Sequence, residues 1–403
     1  MGGRIAIAGG GIAGLTTALA LAGRGIRSVV YERAEELAEV GAGIQLSPNA
    51  SRVLVGLGLA ESIEKTAVRP EGLTVRSGRS GAILASMTYG KAFEERYGAP
   101  YWVIHRGELQ TALLDKVAAT PEIELLTDHA VIGCTETAGG VEIAVDCEGQ
   151  PAARKAAALI GADGVGSTIR AKVVGLRPAA FSGRTAWRAT VEAERFPADL
   201  ASTTGLWLGS GAHLVHYPVS GGRKVNLVAI VEDREPRTGW SRSGEAEDLL
   251  ARFGHWHDRA RAILRLPENW LTWSLYRAPW SPAWSKGRTV LIGDAAHAMA
   301  PFLAQGGAMA IEDAAVLAAC VAGDEAGPAR AFERYARLRG GRVRRVMNDA
   351  WLNGWIYHLP QPMALARNIG MRLIGPRGLA FRFDWIYRWR PEESILEQSP
   401  DLG

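Results

Sequence analysis

A glycine-rich turn near the N-terminus constrains the fold of this chain more than any other feature. Gly9, Gly11 and Gly14 have the G-x-G-x-x-G spacing. The turn follows an apolar run over residues 5–8 and precedes an Ala-rich helix former over residues 15–23. A second short apolar strand comes next, so strand, glycine turn, helix and strand follow one another within about thirty residues. This order predicts a βαβ unit.

Each glycine has its own role in the chemistry that such a turn supports. Gly9 lets the chain turn out of the strand, Gly11 lets backbone N–H groups reach a pyrophosphate, and Gly14 lets helix and strand pack closely. The helix N-terminus supplies the partial positive charge that a diphosphate favours. Glu32, eighteen positions after Gly14, can accept hydrogen bonds from a ribose. The segment predicts nucleotide binding, and the alternative is a Gly-rich turn in an ordinary βαβ unit.

Length and composition limit the classes of protein to consider. The 403 residues favour two domains, and 47% hydrophobic with 22% charged residues is typical of a soluble globular protein. The net charge is +4 without a run of like charges, which argues against nucleic acid and suits an anionic small molecule. Cys134, Cys147 and Cys320 have no C-x-x-C spacing and predict reduced thiols in a cytoplasmic protein. Neither a membrane span nor a metal site is predicted.

Strand and turn patterns suggest how the chain is divided. The segment 72–87 alternates like a β-hairpin, and 89–100 is typical of a charged loop. Strands alternate with turns over residues 181–280, with a charged helical piece over 245–264, which indicates a largely antiparallel second domain. We predict a nucleotide-binding domain made of residues 1–72, 99–178 and 281–350, a substrate domain made of 73–98 and 179–280, and a helical C-terminal segment over 351–403.

Two further segments each place a carboxylate directly after a predicted strand. In GADGVGSTIR, Asp163 lies at the strand end, and Gly164 and Gly166 permit close approach of the backbone. In GDAAHAMAP, Asp294 follows the strand VLI. A carboxylate at the C-terminal end of a strand can accept hydrogen bonds from the hydroxyls of a bound nucleotide. The alternative for each residue alone is a helix N-cap.

Taken together, these motifs resemble a known family. The glycine turn with Glu32 and Arg33, the DG pair at 163–164 and the GD pair at 293–294 are similar to the single-component FAD-dependent aromatic hydroxylases. These are flavoprotein monooxygenases of the para-hydroxybenzoate hydroxylase type, and the resemblance covers residues 1–320. The segment PFLAQGGAMAIEDA resembles the branch that includes salicylate hydroxylase, 3-hydroxybenzoate 6-hydroxylase and 6-hydroxynicotinate 3-monooxygenase.

The resemblance implies an α/β fold with a Rossmann-like FAD-binding domain, an inserted antiparallel-sheet substrate domain and a helical C-terminal tail. It implies FAD as cofactor and NADH or NADPH as a transient co-substrate. The residues that it assigns to FAD are Gly9, Gly11 and Gly14 at the diphosphate, Glu32 and Arg33 at the adenosine, Arg106, Gln110, Asp163 and Asp294 at the diphosphate and ribityl chain, and Pro301, Gly306, Gly307 and Ala308 at the isoalloxazine ring. The chain departs from many relatives at Ala304, where they have Gly, and at Ala308, where they have Asn.

The substrate side is predicted from the segment GAHLVHYPV. His213, Val215 and Tyr217 alternate onto one face of a strand. The resemblance implies that His213 and Tyr217 face the substrate and that His213 accepts a phenol proton. The alternative is that both are sheet residues satisfied by their neighbours. Weaker pocket candidates are Gln45, Ser47, Trp102, Trp187 and Trp207, and His216 and His297 are expected to be structural.

The activity implied is hydroxylation of a small, already hydroxylated aromatic or N-heteroaromatic acid with NAD(P)H and O₂, through a C4a-hydroperoxyflavin. The partners expected are this acid, O₂ and NAD(P)H, with no nucleic acid and no membrane span, in a cytoplasmic monomer or homodimer. Two alternatives stay open. One is a monooxygenase of the same fold that acts on a larger natural product, and the other is a non-catalytic FAD-binding redox protein.

Overall fold

The strands form four sheets in the part of the chain that the structure, a computed structural model, describes: residues 3–37, 43–237 and 242–396. The strands are β1 Ile5–Ala8, β2 Ser28–Tyr31, β3 Gly43–Leu46, β4 Gly72–Ser77, β5 Ile83–Thr88, β6 Trp102–His105, β7 Ile123–Leu126, β8 His129–Thr137, β9 Gly140–Cys147, β10 Gln150–Ala156, β11 Ala158–Gly161, β12 Ala180–Glu192, β13 Thr204–Gly209, β14 Ala212–Val219, β15 Lys224–Glu232, β16 Arg242–Gly244, β17 Trp270–Arg277, β18 Ser285–Lys286 and β19 Thr289–Leu291.

Helices connect and cover these sheets. They are α1 Ile12–Ala22, α2 Pro48–Gly56, α3 Ala60–Glu64, α4 Lys91–Tyr97, α5 Arg106–Ala118, α6 Ala198–Ala201, α7 Ala246–Arg252, α8 Asp258–Leu264, α9 Gly293–His297, α10 Gly306–Ala322, α11 Pro328–Tyr357, α12 Met363–Tyr387 and α13 Pro391–Leu396, with a π-helical segment Ile169–Val174 and short 3₁₀ turns Ala193–Arg195, Ser220–Gly222 and Pro301–Leu303. Across the described ranges, none of the helices combines the length and apolarity that crossing a bilayer requires.

A six-stranded sheet carries the glycine turn and has the order β18-β19-β11-β1-β2-β7. Strand β1 pairs in parallel with β2 and β11, and β11 pairs in parallel with β19. All four residues of β1 are apolar and buried, as a parallel strand covered on both faces requires. The carboxyl ends of β1, β11 and β19 therefore meet at one edge, which brings the three predicted motifs together.

An eight-stranded sheet has the order β16-β17-β12-β15-β14-β13-β4-β5. The hairpin β4–β5 joins it through parallel pairing of β4 with β13, and the other neighbours are antiparallel. One face packs under α7 and α8 with Leu214 and Trp207 in the core. The opposite face turns toward α12 and the 3₁₀ turn at Pro301–Leu303. The predicted antiparallel substrate layer is thus present, while the predicted domain boundaries stay a prediction.

Two smaller sheets complete the architecture. Strands β8, β9 and β10 form a three-stranded antiparallel sheet in the order β10-β9-β8. Strands β3 and β6 pair antiparallel beside the large sheet, where Gly43 N–H donates to Asn226 Oδ1 at 2.8 Å. This contact fixes β3 close to the face of β14 that carries the predicted substrate residues.

Several local predictions differ from the structure. Residues 89–100 are not a loop, because Phe93 and Tyr97 pack into an aromatic cluster and turn Lys91–Tyr97 into a helix. The helical piece at 245–264 is two helices, because buried Trp256 draws the intervening turn into the core. Helix α11 spans Pro328–Tyr357 and so crosses residue 350, and the domain boundary predicted there stays a prediction. Tertiary contacts, which the local pattern does not contain, decided these cases.

Candidate active site

The three glycines of the N-terminal turn have different surroundings. Gly9 has a φ of +109°, and a Cβ there would overlap the carbonyl group of Ala162. A Cβ at Gly14 would overlap the carbonyl oxygen of Gly9, so both positions need glycine to bring β1, β11 and α1 together. A Cβ at Gly11 would meet no described atom within 4 Å. Open space therefore lies at the first turn of α1, where the diphosphate is predicted to bind.

Glu32 and Gln110 lie beside this space. Glu32 accepts hydrogen bonds from the N–H groups of Gly10 at 2.6 Å and Ala34 at 2.9 Å, which fixes its carboxylate at the turn. Gln110 is buried, and its Nε2 lies 3.5 Å from the carbonyl oxygen of Gly10. Within the described ranges the Gln110 Oε1 atom is buried without a hydrogen-bond donor. A hydroxyl or N–H group of a ligand would satisfy this atom, because a buried amide oxygen without a partner is costly.

The two predicted arginines differ in exposure. Arg33 is exposed directly after β2. Arg106 is partly buried as the first residue of α5, and its positive charge acts on the hydroxyl of Tyr217. Arg106 is therefore close to both the predicted nucleotide site and the predicted substrate face.

Asp163 accepts two local hydrogen bonds just before the π-helical segment, whose N-cap residue is Thr168. One oxygen of its carboxylate accepts a hydrogen bond from the Ser167 hydroxyl, and the other accepts one from the Ile169 N–H at 3.1 Å. The residue lies at the end of β11, directly behind the turn at Gly9. Its role toward FAD stays a prediction.

Arg170 joins the DG segment to the GD segment, a contact that the sequence does not reveal. Its side chain is buried and donates to the carbonyl oxygens of Ala295 at 3.1 Å, Ala296 at 2.7 Å and Pro279 at 3.0 Å. Burial lowers the pKa of the guanidinium group. Because two of these carbonyl groups belong to α9, Arg170 fixes the short helix that carries Asp294.

Asp294 lies in the first turn of α9, with an exposed side chain. The preceding Gly293 has a φ of +54° and donates its N–H to Asp313 Oδ2 at 3.1 Å. The left-handed backbone at Gly293 lets the chain turn sharply out of β19. The Asp294 carboxylate is therefore held at the sheet edge and left open, as a group that binds ligand hydroxyls must be.

The segment predicted to border the flavin ring has an unusual backbone. After the 3₁₀ turn at Pro301–Leu303, Ala304 has a φ of +52°, a left-handed conformation that costs an L-residue about 1 kcal/mol or more. Gly306 and Gly307 then begin α10, and a Cβ at Gly307 would lie 2.6 Å from Ile44 Cδ1. Ala308 is completely buried, so its small side chain packs inside the first turn of α10.

A buried ionic network lies under this segment. Glu312 accepts hydrogen bonds from Arg339 at 2.6 Å and from Arg342 at 2.7 Å, and Asp313 accepts one from Arg339 at 2.8 Å. Asn49 donates to the same Glu312 at 2.6 Å. The signal in the sequence is the acidic pair in an otherwise apolar helix, which has to be paired when buried.

His213, Val215 and Tyr217 share one face of β14, away from Ala212 and Leu214. His213 is 2% exposed, and its ring centroid lies 5.3 Å from that of Phe302 in the predicted flavin segment. Burial is the main cause that holds the pKa of His213 well below its ordinary value, with further contributions from His358 and Arg184. His213 is therefore neutral near physiological pH, as a base has to be.

Tyr217 lies further along the same face of β14 and packs against β3. It is buried, and its ring fills the space that a side chain at Gly43 would occupy. Burial raises the pKa of its hydroxyl above the ordinary value, which keeps the group protonated. Beside it, the Tyr101 hydroxyl donates to Gln45 Oε1 at 2.8 Å. Tyr217, Tyr101 and Gln45 thus supply polar groups at the junction of β3, β6 and β14.

Most of the weaker candidates have structural surroundings. Ser47 is buried and accepts a hydrogen bond from Gln305 at 2.9 Å. Trp187 and Trp207 belong to the core on the face opposite His213, and Trp102 belongs to the core of the six-stranded sheet. The expected structural histidines are buried: His216 packs on Phe196 at 5.0 Å and His297 Nε2 lies 2.5 Å from Asp313 Oδ2. Gly41, in the loop predicted before Gln45, lies outside the described residues.

Comparison with known proteins decides the family. The family model of the FAD binding domain matches residues 4–350. The chain belongs to this FAD-binding family. It is 35% identical over 386 residues to a 3-hydroxybenzoate 6-hydroxylase of Polaromonas naphthalenivorans, with 96% of each chain covered. It is 38% identical over 387 residues to a 3-amino-4-hydroxybenzoate 2-monooxygenase of Streptomyces cremeus, with 95% of this chain and 94% of the relative covered.

A solved structure agrees with the fold. A salicylate hydroxylase substrate complex superposes with a TM-score of 0.82 at 24% identity, over 99% of both chains. The predictions of the family, of the α/β fold class, of FAD as cofactor and of an FAD-dependent aromatic monooxygenase are confirmed. The open space at Gly11 and the buried Gln110 Oε1 of this hydroxylase fit the cofactor.

Proposed function

We propose that this hydroxylase adds one oxygen atom to a small aromatic or N-heteroaromatic acid that already carries a ring hydroxyl, using NAD(P)H and O₂. The observation that carries the proposal is the shared face of β14, where His213 packs against Phe302 and Tyr217 against β3. Relatives named for 3-hydroxybenzoate and 6-hydroxynicotinate support this class of substrate.

The FAD site is proposed at the shared sheet edge and along the start of α10. Gly9, Gly11 and Gly14 with Glu32, Arg33, Arg106, Gln110 and Asp163 would hold the adenosine, diphosphate and upper ribityl chain, and Asp294 with Pro301, Gly306, Gly307 and Ala308 would hold the lower ribityl chain and ring. When bound, FAD supplies the reductive activation of O₂ that protein side chains lack. The chain itself has to bind, orient and exclude water.

His213 is the proposed base for the substrate hydroxyl. Neutral imidazole can accept a proton at Nε2, since its Nδ1 already lies 2.8 Å from His358. Loss of the phenol proton makes the ring electron-rich, which attack on an electrophilic oxygen requires. The burial of His213 and Phe302 keeps water away while the ring is activated.

The Tyr217 end of the substrate face of β14 suits the carboxylate of the substrate. Arg188 and Arg106 both act on the Tyr217 hydroxyl by their positive charges, although burial has the larger effect on that group. Two guanidinium groups near one buried hydroxyl create a positive potential that attracts an anionic acid. Tyr217 can donate its hydroxyl to that carboxylate.

We infer that the enzyme works in the cytoplasm as a monomer or a homodimer. The cysteines Cys134, Cys147 and Cys320 are free thiols, which suits a reducing compartment. Analytical ultracentrifugation at several protein concentrations would distinguish the two assembly states.

Oxidation of NADH and NADPH by the purified yellow protein tests the proposal across a panel of hydroxylated benzoates and pyridine carboxylates. We expect one acid to stimulate oxidation strongly, with an oxygen atom from ¹⁸O₂ in the product. Stimulation with hydrogen peroxide as the only oxygen product would contradict hydroxylation of that acid. Without stimulation by any member, the larger-substrate or non-catalytic alternative would replace the proposal.

The role of His213 is tested by His213→Ala. We expect the hydroxylation step to slow by about 100-fold, the usual contribution of a positioned base, with flavin reduction much less affected. Stopped-flow absorbance of the flavin separates the two steps. His255→Ala, at an exposed position, is the matched control. Equal slowing of both steps would show that His213 has no specific role in hydroxylation.

A further inference from the structure

Three titratable side chains form a continuous line from the proposed substrate face to the protein surface. His213 Nδ1 lies 2.8 Å from His358 Nε2, and His358 Nδ1 lies 3.3 Å from Glu232 Oε1. His213 and His358 are buried, whereas the Glu232 side chain is 56% exposed. His358 therefore uses both of its ring nitrogens, one toward His213 and one toward Glu232, and His213 uses its Nδ1.

The backbone holds the line in place through one glycine. The Gly211 N–H donates to the carbonyl oxygen of His358 at 3.1 Å, and the Glu232 N–H donates to the carbonyl oxygen of Gly211 at 3.1 Å. Gly211 forms the turn between β13 and β14, with a φ of +65°. The turn that leads into His213 therefore also positions His358 at the end of α11 and Glu232 at the end of β15.

The outer end of the line opens to solvent. Glu232 lines an open surface cleft of about 780 Å³ together with Arg184, Asp233 and Arg252. The His358 hydrogen bond and the nearby Arg184 keep the pKa of the Glu232 carboxyl below its ordinary value. Glu232 is thus ionised at neutral pH and able to pass a proton on to water.

The surroundings of His213 and His358 disfavour a positive charge on either imidazole ring. Burial is the largest effect and lowers the pKa of both histidines, and Arg184 lowers both further. At His358, Arg367 also lowers the pKa while Glu232 raises it. Tyr357 and Phe302, the rings packed on His213, add no compensating negative charge. A buried His213 that keeps the substrate proton as an imidazolium ion is therefore disfavoured.

We propose that His358 and Glu232 relay the phenol proton from His213 to solvent, an inference that rests on the proposed function. The substrate O–H proton moves to His213 Nε2, the His213 Nδ1 proton moves to His358 Nε2, and the His358 Nδ1 proton moves to Glu232 Oε1. One proton enters the line and one leaves it. Both imidazoles stay neutral and exchange tautomers, and the phenolate remains as the new anion.

A relay differs from packing because its members have to accept and donate protons, so variants that keep the size of the side chain but not this ability distinguish the two roles. His358→Gln and Glu232→Gln keep polar side chains of similar size but interrupt proton transfer. Glu232→Asp keeps the carboxylate. His255→Gln and Glu235→Gln, at exposed positions outside the line, are the matched controls.

The experiment uses the FAD-loaded enzyme and the acid that stimulates it best in the panel. Stopped-flow mixing in weak buffer with a pH indicator measures proton release when the phenol binds, and phenolate absorbance follows the substrate. In His358→Gln and Glu232→Gln we expect release to slow by about tenfold or more. Substrate affinity and flavin reduction are expected to change little. Glu232→Asp and both controls should release the proton nearly as fast as the wild type.

Wild-type rates of proton release in both Gln variants would overturn the relay, even with hydroxylation intact. Equal slowing in Glu232→Asp and Glu232→Gln would also overturn it, since only packing would then matter. If the wild type hydroxylates no member of the panel, the proposed function itself fails, which is a different result. Glu232 is at the surface, so its variants keep the test usable if His358→Gln does not fold.

Discussion

The glycines of the N-terminal turn serve two different purposes: some are needed for folding, and others leave room for a ligand. At Gly14 the missing side chain is required by the protein, because the carbonyl oxygen of Gly9 occupies the space. At Gly11 none of the described residues comes within 4 Å of an added Cβ, and the backbone φ of −77° is open to any residue. The G-x-G-x-x-G pattern alone does not distinguish these two reasons for glycine.

We therefore expect Gly11→Ala to affect mainly FAD binding and Gly14→Ala to affect mainly the stability of the apoprotein. Gly11→Ala should lower the free energy of unfolding of the apoprotein by only about 0.5 kcal/mol. It should weaken FAD binding by about tenfold or more, because the methyl group enters the proposed diphosphate space. Gly14→Ala should destabilise the apoprotein by about 3 kcal/mol. Urea unfolding and FAD titration check both. An unchanged FAD affinity in Gly11→Ala would contradict the assignment of the site.

Ala304 offers a second test at the residue scale. Its φ of +52° is a left-handed conformation that glycine adopts without strain. We expect Ala304→Gly to raise the free energy of unfolding by about 0.5 to 1 kcal/mol. Ala262→Gly, at an exposed position inside α8, is the control, and it should lower the free energy by about 1 kcal/mol. A lower free energy of unfolding in Ala304→Gly would contradict this prediction, because the left-handed backbone at Ala304 would then cost less than the flexibility that glycine adds to the unfolded chain. Urea denaturation measures both.

At the scale of elements, the acidic pair of α10 connects the predicted flavin segment to α11. Burial alone would raise the pKa of the Glu312 carboxyl, but Arg342 and Arg339 outweigh it and hold the pKa below its ordinary value. Asn49 links Glu312 to Gln305 just before α10, at 3.1 Å. The position of the segment at 301–307 thus depends on the buried charges that join α10 to α11, in addition to the short turns within the segment.

We expect Glu312→Gln to lower the free energy of unfolding by about 3 kcal/mol at neutral pH, because the buried guanidinium group of Arg339 and the partly buried one of Arg342 both lose the Glu312 carboxylate. The Glu312 pKa is lower in the folded than in the unfolded chain. Its contribution is therefore present above about pH 4.3 and disappears as the pH falls through the folded-state value. Glu312→Gln should accordingly lose less stability on acidification than the wild type. Urea unfolding at several pH values checks this, with exposed Glu325→Gln as control.

At the scale of the whole molecule, the proposed site is assembled from segments far apart in the chain. The turn at Gly9, the GD pair at 293–294 and the segment at 301–307 meet because β1, β11 and β19 lie side by side. The substrate face comes from the eight-stranded sheet, which contacts the same segment through His213 and Phe302. A ligand that bridges these parts should stabilise the folded chain as a unit.

We expect FAD to raise the stability of the apoprotein by about 2.7 kcal/mol at a free concentration one hundred times its Kd. Urea or thermal unfolding with and without FAD measures this, and riboflavin, which lacks the ADP half, should give a much smaller effect. The increase should be reduced in Gly11→Ala at the same FAD concentration. Equal stabilisation by riboflavin and FAD would contradict binding of the diphosphate at α1.

The sequence by itself determined the βαβ start, the three strand-end motifs, the FAD-binding family and the alternation of His213 with Tyr217, because each depends on short-range spacing. Only the tertiary structure decided that Gly14 is needed for packing while Gly11 is open, that Arg170 holds α9, and that Trp187 and Trp207 are core. It also decided the line from His213 through His358 to Glu232, whose members are 145 and 126 residues apart. Contacts of this kind depend on which sheet faces meet, and no local pattern in the chain encodes that.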